Sequence, residues 1–119
     1  MLRVETSKTL YAPGDTVELI LTNQGDAPLA YNICFGTRLE RQTGASWVAI
    51  PDPPNQPPCT ADLSSLLPAQ QASGRFALRS DLNPGSYRYH LESVLRSNPD
   101  AVLPYTERIS NTFEVRAKS

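Results

Sequence analysis

The sequence predicts an all-β sandwich of seven to eight short antiparallel strands, and three observations carry that reading. Eleven prolines in 119 residues, about twice the usual share, interrupt almost every window long enough for a helix, because proline removes a backbone donor and clashes with the preceding turn. Between them, apolar residues recur at every second position, the period of a half-buried strand. Turn-forming residues punctuate these stretches at intervals of roughly ten residues, the spacing of a sandwich. Residues 1–119 are expected to form one domain, since a chain of this length leaves little room for a second core.

The first strand begins at once, after Met1. Ala12-Pro13-Gly14-Asp15 suits a type II turn, with proline at the second position and glycine where the third needs a positive φ. Asp15 to Asn23 follows as a strand with Val17, Leu19 and Leu21 on one face. Leu29 to Phe35 places Leu29, Tyr31, Ile33 and Phe35 together, so Cys34 falls on the opposite face. Arg38 to Gln42 and Trp47 to Ile50 flank Thr43-Gly44-Ala45-Ser46 as a hairpin. Asp62 to Leu67 is the one candidate for a short helical turn. Gly74 to Arg79 alternates again, with Phe76 and Leu78 inward. Tyr87 to Leu95 turns Tyr87, Tyr89, Leu91 and Leu95 inward and leaves Arg88, His90 and Glu92 facing water. In the last strand Ile109, Phe113 and Val115 face in, while Ser110, Thr112, Glu114 and Arg116 face out. Asn111 breaks that face and needs backbone partners near an edge or a bulge.

Composition excludes several functions. Eleven Lys+Arg against twelve Asp+Glu give a net charge of −1, so there is no basic surplus for nucleic acid. No run approaches the ~20 apolar residues of a membrane span. One His, one Met and two Cys are too few for most metal centres, and no metal or cofactor is expected. No catalytic residues are expected either. His90 is the lone histidine, on a strand face with no nucleophile motif beside it. Asp15, Asp26, Asp52, Asp62, Asp81 and Asp100 sit in expected turns, where aspartate bonds its own backbone. Trp47, Tyr31, Tyr89 and Tyr105 suggest a sugar-stacking platform, but alternation turns most of them inward, which favours core packing.

Cys34 and Cys59 lie 25 positions apart across a proline-rich stretch and are expected to pair, two free thiols being the alternative. That pairing, with a strand starting directly after Met1 and no signal segment in view, favours a chain that works outside the cytoplasm and has lost a leader or anchor. A cytoplasmic protein is the alternative. The stretch between the cysteines, Pro51, Asp52, Pro53, Pro54, Asn55, Gln56, Pro57 and Pro58, should be extended and preordered. Such a loop loses little entropy on binding, which suits recognition; a plain crossover between sheets is the other reading. Ser97 to Pro104 forms a second long loop, whose Val102 and Leu103 look exposed and available for contact.

Leu82-Asn83-Pro84-Gly85-Ser86-Tyr87 leads into the penultimate strand, where immunoglobulin-like domains carry a tyrosine corner. Tyr87 is the candidate, with Pro84 and Gly85 shaping the approach; a tyrosine that merely fills the core is the alternative. Tyr11 to Leu19, Leu21 to Gly25, Leu39-Glu40-Arg41 before Gly44 and Trp47, and Leu82 to Arg88 together resemble bacterial immunoglobulin-like domains of secreted or lipoprotein-anchored proteins. The same string is similar, more loosely, to the bacterial intracellular proteinase inhibitors. The resemblance spans about Leu10 to Val115 and rests on turns and core positions, which specify architecture more than activity. It implies a non-enzymatic immunoglobulin-like module that contacts a protein partner through loops 51–59 and 96–104 or through an unpaired strand edge. A proteinase inhibitor presenting the proline loop is the alternative, although the cysteine pair and the proline stretch depart from the inhibitor pattern.

Overall fold

The computed structural model describes residues 1–34, 36–51, 59, 62–92, 94–97 and 100–117. Among them the order is β1 (Leu2–Thr6), β2 (Leu10–Tyr11), β3 (Thr16–Asn23), β4 (Leu29–Tyr31), β5 (Thr37–Thr43), β6 (Ser46–Ile50), β7 (Ser64–Leu66), β8 (Gln71–Ala77), β9 (Gly85–Leu91), β10 (Val94–Ser97), β11 (Asp100–Val102), a 3₁₀ helix (Tyr105–Glu107) and β12 (Phe113–Val115). They form three sheets, ordered β1-β3-β8, β11-β10-β4-β7 and β2-β12-β9-β5-β6. The chain is therefore nearly all β, as its prolines and period-two patterning require.

Among the described residues twelve short strands replace the expected seven or eight: the stretch 87–95 is split into β9 and β10, and β2, β7 and β11 lie where no strand was expected. β2 also pairs with β12 in parallel, Leu10 beside Glu114 and Val115 beside Tyr11, so the five-stranded sheet is mixed. The helical turn expected over 62–67 is a strand instead. β7 pairs with β4, which brings Leu66 against Leu29, both buried, and a cross-strand apolar pair outweighs one weak helical turn. The loop expected over Ser97 to Pro104 contains β11, which pairs antiparallel with β10.

Where local chemistry dictated a turn, it forms. Gly14 has φ +86°. The Asp15 N–H donates to the Ala12 carbonyl at 3.0 Å, and Asp15 Oδ2 accepts from the Ala12 N–H at 2.9 Å. Gly44, at φ +62°, opens a two-residue turn that sets Gln42 opposite Trp47 and Thr43 opposite Ser46, a primed hairpin turn whose twist matches its strands.

One interior serves all three sheets. Val17, Leu19 and Leu21 of β3, Leu66, Tyr87, Leu91, Val94, Phe113 and Val115 are buried together, and Phe76 packs against them. Phe113 sits among three tyrosines: its centroid is 5.3 Å from Tyr11 edge-on, 5.7 Å from Tyr89 and 6.3 Å from Tyr87. Asn111 resolves its own burial at a bulge. One extra residue separates the His90–Ile109 bridge from the Phe113–Tyr87 pair. There Asn111 Oδ1 accepts from the Thr6 N–H at 2.8 Å and Nδ2 donates to Thr6 Oγ1 at 2.9 Å. Ser110, expected to face out, is buried; its hydroxyl accepts from the Tyr89 N–H and donates to the Asn111 carbonyl.

Tyr87 is fully buried and its hydroxyl donates to the Asn83 carbonyl four residues upstream at 2.5 Å. Tyr87→Phe keeps the ring and removes that bond. Because Asn83 is exposed and water can replace the donor, the expected cost is about 1 kcal/mol, read as a lower urea midpoint at unchanged slope. A variant as stable as the wild type would reduce Tyr87 to a core filler.

Candidate functional site

The sequence-predicted loop residues are only partly placed. Pro51 is exposed directly after β6, while Asp52, Pro53, Pro54, Asn55, Gln56, Pro57 and Pro58 lie outside the described residues. Cys34 and Cys59, at either side of this stretch, lie at disulfide distance with Cα atoms 5.7 Å apart. The Cys34 N–H donates to Asn32 Oδ1 at 3.1 Å, and Asn32 Nδ2 donates to the Asp62 carbonyl at 3.0 Å, so both flanks of the pair are tied to the same asparagine. Val102 lies in β11, its backbone opposite Leu95. Leu103, expected as an exposed contact, is 4% exposed. Its N–H donates to the Val94 carbonyl and its own carbonyl accepts from Arg108, which pulls it into the core.

Arg88 and His90 were expected to face water and do not. Both project from β9 onto the outer face of the five-stranded sheet, beside Glu40 of β5, which stands opposite Arg88 in the register. The segment 103–109 forms a strap that runs beside β9, where the Leu91 N–H donates to the Arg108 carbonyl and Ile109 bridges His90. It sets the Tyr105 ring against Arg88 and His90, while Trp47 of β6 packs on Arg88. Arg88 Nε donates to Glu40 Oε1 at 2.9 Å, and its Nη2 donates to the Tyr105 hydroxyl. The guanidinium lies 4.2 Å from the Trp47 ring centroid and 5.5 Å from that of Tyr105, a cation stacked between two π faces. Of the four aromatics that alternation turns mostly inward, Trp47 and Tyr105, the latter near a strand end, belong to the outer face, while Tyr89 is a core residue.

His90 fits between opposite charges. Its Nδ1 is 3.5 Å from Glu40 Oε2, and its Nε2 is 3.2 Å from Arg108 Nη1. A guanidinium has no acceptor, so Nε2 must carry the lone pair and Nδ1 the proton, the neutral tautomer that also suits Glu40. Arg108 also donates from Nε to the Leu103 carbonyl and from Nη1 to the Leu91 carbonyl, at 2.9 Å each, and so nails the strap to the sheet. Burial depresses the His90 pKa below its ordinary 6.5; Glu40 opposes that shift, and Arg108 adds to it.

The sign of the pH effect follows. His90 prefers to be neutral in the folded chain, so the stability it contributes is complete above about pH 6.5 and falls as the pH drops below that value. Urea midpoints should therefore decline between about pH 7 and pH 5, and His90→Gln should flatten that decline. Parallel slopes for the two proteins would show that His90 is not the titrating group.

These groups satisfy one another. Glu40, Arg88, His90 and Arg108 have partners inside the cluster, and no Ser, Thr or Cys side chain is paired with His90 among the described residues. Nor do the described residues hold a cluster of three or more His, Cys, Asp or Glu able to grip a metal ion. The arrangement holds the strap in place and leaves the Tyr105 ring exposed above a buried Arg88. Sequence reading named Trp47, Arg88, His90 and Tyr105, quoted Glu40 only within a resemblance, and singled out neither Arg108 nor the meeting of these residues. The only advance signal was charged residues in matching phase on two neighbouring strands.

No family model matches the chain, and no curated protein matches it. Solved structures with a similar course include an alkylpurine DNA glycosylase from Pseudomonas fluorescens bound to DNA containing an abasic site analogue, at 14% identity and TM-score 0.44, covering 98% of this chain and 30% of that one. A β-glucosidase from Listeria innocua, in its glucose complex, matches at 17% identity and TM-score 0.39, over 97% of this chain and 16% of that one. This chain thus spans less than a third of either protein. Both TM-scores lie below 0.5, and nothing about this chain is argued from them. No helix among the described residues is long and apolar enough to cross a membrane.

Proposed function

We propose that this chain is a non-enzymatic, immunoglobulin-like module that works outside the cytoplasm by contacting another protein. The observation that carries this reading is the outer face of the five-stranded sheet. Trp47, Arg88 and Tyr105 are stacked there with their charges already compensated, and Tyr105 remains 44% exposed. Tryptophan and tyrosine are among the residues on which protein contacts most often depend, and here buried Arg88 holds both rings in place before any partner arrives. The same cluster leaves no unspent acid, base or nucleophile for chemistry.

Two features support the finer parts of the proposal. The Tyr87–Asn83 bond at the entry to β9 supports the immunoglobulin-like reading, because it has the form of a tyrosine corner. The Cys34–Cys59 pair at disulfide distance is compatible with an oxidising compartment. Because that pair and Ile50 in β6 hold the two ends of the proline stretch, the inhibitor reading is retained as the second one.

The test combines both readings. Immobilised wild-type protein is exposed to extracytoplasmic proteins of its source, alongside Tyr105→Ala and a Pro53/Pro54/Pro57→Ala triple variant, and a panel of serine proteases is assayed separately. A partner retained by the wild type and lost from Tyr105→Ala supports the contact module. Equal capture by all three proteins overturns the assigned surfaces. Protease inhibition that the triple variant loses transfers the function to the proline loop.

A further inference from the structure

Among the described residues, the outer edge of β6 differs from every other strand edge. Five of the six edge strands are protected by the usual devices. β1 carries Arg3 and Glu5, β8 carries Arg75 and an interior Gly74, and β2, β7 and β11 are only two or three residues long. β6 is five residues, Ser-Trp-Val-Ala-Ile, with no charge, no proline and no glycine. Val48 at its centre is 51% exposed. Among the described residues nothing pairs with its outer side.

The polarity of that edge follows from the hairpin. A two-residue turn makes its flanking residues, Thr43 and Ser46, a hydrogen-bonded pair, and bonded pairs then alternate along the ladder. Val48 and Ile50 therefore direct their backbone groups to Arg41 and Leu39, opposite them in β5. Trp47 and Ala49 direct theirs to the open side.

We propose that β6 pairs antiparallel with β6 of a second copy of this chain, about a two-fold axis at Val48, joining two five-stranded sheets into one. In that register Trp47 of each copy faces Ala49 of the other. Both have outward backbone groups, so each pair exchanges two bonds. A large side chain meets a small one on the same face, and the two Val48 side chains meet on the axis at the closer, non-bonded spacing. The five residues bring no charge to repel its own image, the requirement for an isologous contact. Pro51 of one copy would come opposite Ala45 of the other, where its missing N–H ends the ladder. The inference builds on the reading of the chain as a protein-contact module and names one partner, itself.

The wild type should sediment as a dimer at about 100 μM, shifting toward monomer on dilution. Val48→Lys sets two like charges on the axis, and Ala49→Pro deletes an outward donor while leaving every N–H that faces β5. Both variants should remain monomeric at that concentration, with the wild-type circular dichroism spectrum and melting cooperativity. A wild type that stays monomeric at every concentration overturns the pairing, and so does a dimer that both folded variants retain. Since partner capture is read separately through Tyr105→Ala, a monomer that still captures a partner sinks the self-pairing alone.

Discussion

Glu40→Ala should destabilise the fold by about 3 kcal/mol, because it strips the counter-charge from a buried arginine. Arg88 and Glu40 side chains are each only 11% exposed, so water cannot take the carboxylate's place. The estimate sits at the low end for a broken buried pair because Arg88 keeps the Tyr105 hydroxyl and the Trp47 face. The informative companion is the double replacement Glu40→Leu with Arg88→Leu. Removing both charges removes the desolvation cost as well, and the double variant should recover most of the loss. Urea denaturation of the three proteins decides the matter: a double variant as unstable as the single one would mean that Arg88 holds the strap through contacts other than the ion pair.

Replacing Cys34 and Cys59 together by Ser should cost about 3.5 kcal/mol, the chain entropy returned to the unfolded state when a 25-residue loop is released. That is a large share of the ~5–15 kcal/mol expected for a domain of this size. The loss should be matched in the wild type by reductant alone. Equal denaturation midpoints with and without reductant, before any replacement, would show that the pair does not support the fold.

What was legible in the sequence was what is encoded locally. The alternation of Val17, Leu19 and Leu21, the Pro13-Gly14 turn, the Gly44 hairpin and the Asn83–Tyr87 bond all depend on residues within a few positions of one another, where steric and hydrogen-bond rules act directly. The candidate site was legible only as a parts list. Arg88 and His90 read as solvated because alternation reports which face a side chain takes, not what later covers that face. The cover comes from residues 103–109, and nothing near position 90 announces it. The same ignorance of long-range pairing hid the burial of Leu103. It also turned residues 64–66, which take their structure from β4, into an expected helix.

The position of β12 has a consequence for how the chain is made. Phe113–Val115 sits between β2 and β9 in the five-stranded sheet, so an inner strand of that sheet is also the last one synthesised. Until it leaves the ribosome, Leu10–Tyr11 lacks the one strand it pairs with among the described residues, and the tyrosines around Phe113 lack their centre. The nascent chain therefore waits with an incomplete interior. Assembly becomes a late event, gated by the final few codons of this segment and slow in the manner of contacts that join distant parts of a polymer.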